Sequence, residues 1–238
     1  MTVSEAGVTE DNRRIAAFAA FGIAALPVYI FLPRIVGLAF GAPDNPSGLS
    51  RDAQVAVSAA YPYAYGSLGL ANLIVGASFM VLALALHAHL RATAPFAARV
   101  ATAVGAIGGA LSLTAGFMPL TVAKGIVRID AEYHAAALAL FVTGQTVTGS
   151  LSTASSVLFG TFAFLASVSG ARAGLLPRAL PYLGAVIAIA NVVNVLVPAA
   201  WPVTILTMLV WAAWLGVALL RGGRRGAAAQ GATSTAGV

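Results

Sequence analysis

The chain has no cysteine, a single lysine and few charges of either sign: only 8% of its 238 residues are Asp, Glu, Lys or Arg. Without cysteine there can be no disulfide, thiolate nucleophile, iron–sulfur cluster or palmitoyl anchor. The single lysine, Lys124, lies between apolar runs, so no run holds an amine for a Schiff base. No Asp or Glu falls within an apolar run either, which excludes an intramembrane carboxylate relay or a carboxylate-bridged metal pair. Soluble globular domains carry about 25% charged residues. The low density here excludes water as the main solvent.

What fills the chain instead is apolar length. Hydrophobic residues make up 60% of it, mean hydropathy is +0.92, and several runs approach the roughly 20 residues that cross a bilayer. Breaks at charge, Pro and Gly predict spans near 15–38, 62–90, 99–119, 146–170, 179–200 and 203–221. The expectation is an all-α, polytopic membrane helix bundle of six transmembrane helices over residues 13–221, with a polar tail at 1–12 and a flexible tail at 222–238. A barrel is excluded because the runs are continuously apolar instead of alternating. Arg13-Arg14 ahead of Ile15 to Leu32 resembles a signal peptide, but the run exceeds the usual 7 to 15 residues and is read as an uncleaved first span. The outer loop that follows offers Ser50 as the N-cap of a short helix, and Pro27 should kink the first span.

A net charge of +6 and a pI near 10.3 do not mark a nucleic-acid partner, because the basic residues sit at the ends of the runs. They set topology. Six spans place Arg13, Arg14, Arg91, Arg99, Arg172, Arg178, Arg221, Arg224 and Arg225 on one side and Arg34, Arg51, Lys124 and Arg128 on the other, a split of nine to four. Both termini are therefore expected in the cytoplasm. Residues 133 to 170 are long for one span, at about 57 Å as a helix. A hairpin there would reverse the charge bias, so Tyr133 to about Gln145 is expected as an outer interfacial or re-entrant segment before the fourth span.

At Gly174 to Val186, GLLPRALPYLGAV, the chain resembles an uncharacterised family of bacterial six-span integral membrane proteins, a domain of unknown function whose inner loop before the fifth span carries a similar element. The resemblance implies the six-span fold and a multi-pass place in a bacterial plasma membrane, and no activity.

One stretch sits oddly in such a chain: Thr143 to Ser156, TGQTVTGSLSTASS. With the orientation above, it falls in the outer half of the membrane at the level of Asn72, Asn191 and Asn194. Gln145, Thr148, Ser152 and Ser155 follow helical spacing, and Asn191 and Asn194 are i, i+3 neighbours. The expectation is that this face points into the bundle, with Asn72, Gln145, Thr148, Ser152, Asn191 and Asn194 orienting a lipophilic or amphipathic small molecule. The plainer reading is packing, since Ser, Thr and Gly also let helices approach closely, as at Gly37/Gly41 and Gly105/Gly109. Trp211 and Trp214 either flank an apolar ligand or fill a helix interface.

Three functions fit these residues. The first is a protein that binds such a molecule in an outer-leaflet cavity, with membrane lipids as its other partners. The second is a membrane-embedded isomerase or cyclase acting on a lipid-like substrate, for which Asp130, Glu132 and His134 in DAEYH are the catalytic candidates, since a carboxylate can tune an imidazole for work near neutral pH. The third is a non-catalytic partner or transporter subunit, packed against another protein or a second copy. No cofactor is expected. Nor is a metal, because His87 and His89 project about 200° apart on a helix.

Overall fold

The computed structural model describes residues 3–39, 41, 43, 48–129 and 133–235, and among them the chain is all-helical with no strand. Eight α-helices follow in order among the described residues: α1 (Val3–Ala24), α2 (Leu26–Ala39), α3 (Arg51–Ala60), α4 (Pro62–Leu90), α5 (Pro95–Ile129), α6 (His134–Arg172), α7 (Leu180–Leu196) and α8 (Trp201–Thr235), with a 3-10 turn at Pro198–Ala200. Among the described residues four segments are long and apolar enough to cross a membrane: Gly69–Leu90, Pro95–Ile129, His134–Arg172 and Trp201–Arg221; Leu180–Leu196 is apolar but shorter. Helix is the expected answer to such sequence, because each backbone N–H and C=O finds its partner within the segment and needs no water.

Two boundaries differ from the sequence reading. The first expected span is broken at Ala25 into α1 and α2, where Pro27 has no N–H to continue the ladder and the amides of Val28 and Tyr29 turn back to the Ala25 carbonyl. The expected division between residues 133–145 and 146–170 is absent: α6 runs unbroken for 39 residues, about 58 Å. That excludes the hairpin, and residues 134–145 are helical as the first part of α6 rather than as a separate helix. No proline interrupts it, and the hydroxyls of Thr146, Ser150, Thr153 and Thr161 bond along the helix instead of competing with it. At the chain ends, α1 already begins at Val3, aided by an Arg14–Glu10 pair one turn apart, and α8 extends to Thr235.

The chain forms two compact units. The first comprises Met1–Ala24, Ser78–Gly108 and Ser156–Val238. At its centre Phe79, Phe159, Phe162 and Trp211 stack edge to face or tilted, with ring centroids 4.8 Å (Phe79–Phe159) to 6.3 Å (Phe162–Trp211) apart. Ala16, Ala17 and Ala20 of α1 and Ala212 and Leu215 of α8 join the same core. Lipid tails are as apolar as these side chains, so burial alone gives little; close contact and hydrogen bonds must hold the helices. Trp211, fully buried, donates its indole N–H to Ser167 Oγ at 2.8 Å. Gly184 lets α7 close on α6: a Cβ there would lie 2.8 Å from the Ala163 carbonyl oxygen.

The second unit comprises Ala25–Ala77 and Gly109–Ser155. In it α4 and α5 touch backbone to backbone at two levels, Gly69 against Gly116 and Gly76 against Gly109, and Ser112 Oγ donates to the Asn72 carbonyl between them at 3.0 Å. The glycines are seven residues apart on each helix, two turns, which keeps both on one face. The sequence reading paired glycines at a spacing of four and missed this. Gly105, one of those pairs, meets Ala83 and Phe162 in the first unit, while Gly41, expected on a helix face, sits in a turn at φ +87°. The amphipathic α3, capped by Ser50 Oγ accepting from the Ala53 amide at 3.3 Å, inserts Val55 among Val122, Ile126, Ala137 and Phe141.

Candidate functional site

The six residues expected to orient a ligand divide between the units. Asn72, Gln145, Thr148 and Ser152 belong to the second, Asn191 and Asn194 to the first. Asn72 is half-buried, its backbone carbonyl taking the Ser112 bond; Thr148 and Ser152 are half-buried and Gln145 is exposed.

The Thr143 to Ser156 stretch faces inward only in part. Gly144, under Val122, and Ser155 are buried, whereas Thr143, Thr146, Val147 and Ser150 are exposed, and a Cβ at Gly149 would meet nothing within 4 Å. Three of its hydroxyls are answered by the helix itself: Thr146 Oγ1 donates to the Val142 carbonyl at 2.9 Å, Ser150 Oγ to the Thr146 carbonyl at 2.9 Å and Thr153 Oγ1 to the Gly149 carbonyl at 2.8 Å. Such bonds remove the need for an outside partner.

The two asparagines of α7 differ in this respect. Asn191 is 2% exposed. Its Nδ2 donates back to the Ile187 carbonyl at 2.9 Å, but its Oδ1 is buried with no hydrogen-bond partner among the described residues, and so is Oδ1 of Asn194. Three residues apart, they rise about 4.5 Å along the axis and stand about 60° apart around it. The neighbouring hydroxyl is not at hand, because Thr204 Oγ1 donates to the Ala190 carbonyl at 3.2 Å. Gly160 of α6 lets α7 approach closely here: a Cβ there would lie 3.1 Å from Asn191 Nδ2 and 2.9 Å from the Ala188 Cα. Each unmet buried acceptor costs on the order of 1–3 kcal/mol. No Asp, Glu, Lys, Arg or His occurs in Leu180–Leu196, in residues 156–170 or in residues 201–220, so both oxygens lie among uncharged helix.

The catalytic candidates separate. Asp130 and Glu132 lie outside the described residues. His134 opens α6 and brings Nε2 to 3.3 Å from Asp52 Oδ1 at the start of α3, the two side chains being 51% and 70% exposed. Asp52 was missed in the sequence, since 82 residues separate the pair and only the Ser50 cap hinted at where α3 begins. His87 Nδ1 lies 3.0 Å from Thr102 Oγ1, which itself donates to the Ala98 carbonyl at 2.7 Å. Among the described residues no three of His, Cys, Asp or Glu gather to hold a metal. Trp211 is in the core, where it fills a helix interface, and Trp214 is 40% exposed.

No family model, curated protein or solved structure matches the chain. The likeness read at Gly174 to Val186 rests on those residues alone.

Proposed function

We propose that this is a six-span protein of the bacterial plasma membrane, both termini cytoplasmic, that binds a lipophilic or amphipathic small molecule in its helix bundle. The observation that carries the reading is the pair of buried, unmet carboxamide oxygens of Asn191 and Asn194. Buried polar groups without partners are rare in folded chains and are tolerated where an unseen water, ion or ligand completes them. The test is mass spectrometry of lipophiles co-purified in mild detergent. The wild-type protein should carry a species enriched over bulk lipid, and Asn194→Leu should lose it. Identical profiles would remove the reading.

A second reading, acid–base chemistry on a lipid-like substrate, draws on the His134–Asp52 contact. Water screens the attraction between two groups this exposed and holds no substrate against them, so the binding reading is preferred.

A further inference from the structure

Resting on the reading of Asn191 and Asn194 as a ligand site, the chemistry of what is missing there narrows the ligand. Both unmet atoms are acceptors, and an amide oxygen can be answered only by an O–H or N–H. A carboxylate or phosphate would set acceptor against acceptor and bring a charge into helices that hold no cation in residues 156–170, 180–196 or 201–220. Esters and ethers offer acceptors alone, and a quaternary ammonium has no N–H. A single hydroxyl has one proton and answers one oxygen, leaving the other unmet. Two acceptors carried by residues one helical turn apart, about 4.5 Å along the axis, suit two hydroxyls on adjacent carbons, each donating over the usual 2.7–2.8 Å or so.

We infer that the site takes a neutral head with two hydroxyl donors, a glycerol-like diol, attached to an apolar body. The same chemistry is offered by a monoacylglycerol-type lipid and by a free polyol, and the probes separate them. Purified full-length protein in detergent is heated with 1-monooleoylglycerol, its di-O-methyl ether, oleate or glycerol, and unfolding is followed by tryptophan fluorescence. The diol should raise the midpoint by roughly 3–6 °C at tenfold its Kd, with no shift from the other three. Asn194→Leu should lose the shift, and Asn191→Leu likewise if it folds; the four-probe series on the wild type needs neither variant. An ether as effective as the diol would overturn the two-donor assignment while leaving the binding reading standing. A shift from glycerol alone would overturn the apolar body. No shift from any probe, the outcome if water alone fills the site, would overturn both.

Discussion

Alanine at Gly116 tests the α4–α5 contact most directly. Its Cβ would stand 2.6 Å from the Gly69 carbonyl oxygen and 2.8 Å from the Leu73 amide nitrogen. Both are backbone atoms, so no rotamer change relieves the overlap; the helices must separate by several tenths of an ångström. Overpacking of this kind costs about 1–3 kcal/mol, and parting the helices also strains the Ser112–Asn72 bond that bridges them. Against this stands a gain of about 0.8–1.0 kcal/mol from replacing glycine with alanine within a helix. The net expectation is a loss of up to about 2 kcal/mol, or roughly 4–8 °C in midpoint for a chain of this size. Gly149→Ala is the internal control. It receives the same propensity gain with nothing within 4 Å, and should be neutral or stabilising by up to about 1 kcal/mol. Thermal unfolding of both variants in one detergent, followed by intrinsic fluorescence, isolates the steric term. Equal midpoints for Gly116→Ala and Gly149→Ala would refute the backbone contact.

Three further outcomes are expected. Ser167→Ala should destabilise by about 1–3 kcal/mol by orphaning the Trp211 indole N–H, and adding Trp211→Phe should cost less than the two single changes summed, as a double-mutant cycle in thermal unfolding would show. A cysteine placed at Ala173 in this cysteine-free chain should resist an impermeant thiol reagent applied to intact cells; modification from outside would contradict cytoplasmic termini. Asn194→Leu should leave the ligand-free protein as stable as the wild type or about 1 kcal/mol more so, and a large loss in the same melt would mean that Oδ1 has a structural partner.

Helicity and the apolar segments were legible in the sequence because continuous hydrophobic length has one structural solution in lipid. The Ser50 cap was legible because its bond is local. Contacts that depend on what lies opposite were not. The facing of Gly69 and Gly76 to Gly116 and Gly109 is written in seven-residue spacing on two separate helices, and neither helix alone says which glycines will meet. His134 with Asp52, and Trp211 with Ser167, join residues far apart in the chain. The continuity of α6 was misread because charge counting locates loops and says nothing of where a helix ends. Asn191 and Asn194 were singled out by the demand of a carboxamide for partners, but which of its atoms would go unanswered depends on the neighbours that folding brings to each.

That asymmetry between donors and acceptors explains why the serines and threonines of α6 carry less functional information than two asparagines. Every helical carbonyl has a second lone pair after its i+4 bond, so a hydroxyl can always donate to its own helix, as Thr146, Ser150 and Thr153 do. No equivalent exists for an acceptor, because each mid-helix N–H is already engaged. Asn191 follows the rule: its Nδ2 finds the Ile187 carbonyl and its Oδ1 finds nothing. Leucine at 194 keeps the approximate volume and deletes the acceptor, which is why it should relieve a desolvation cost rather than incur one in the absence of ligand. An Asn194→Leu protein that is no less stable when empty and yet lacks the diol response would separate the role of Oδ1 in binding from any role in the fold, so the two measurements belong in one experiment.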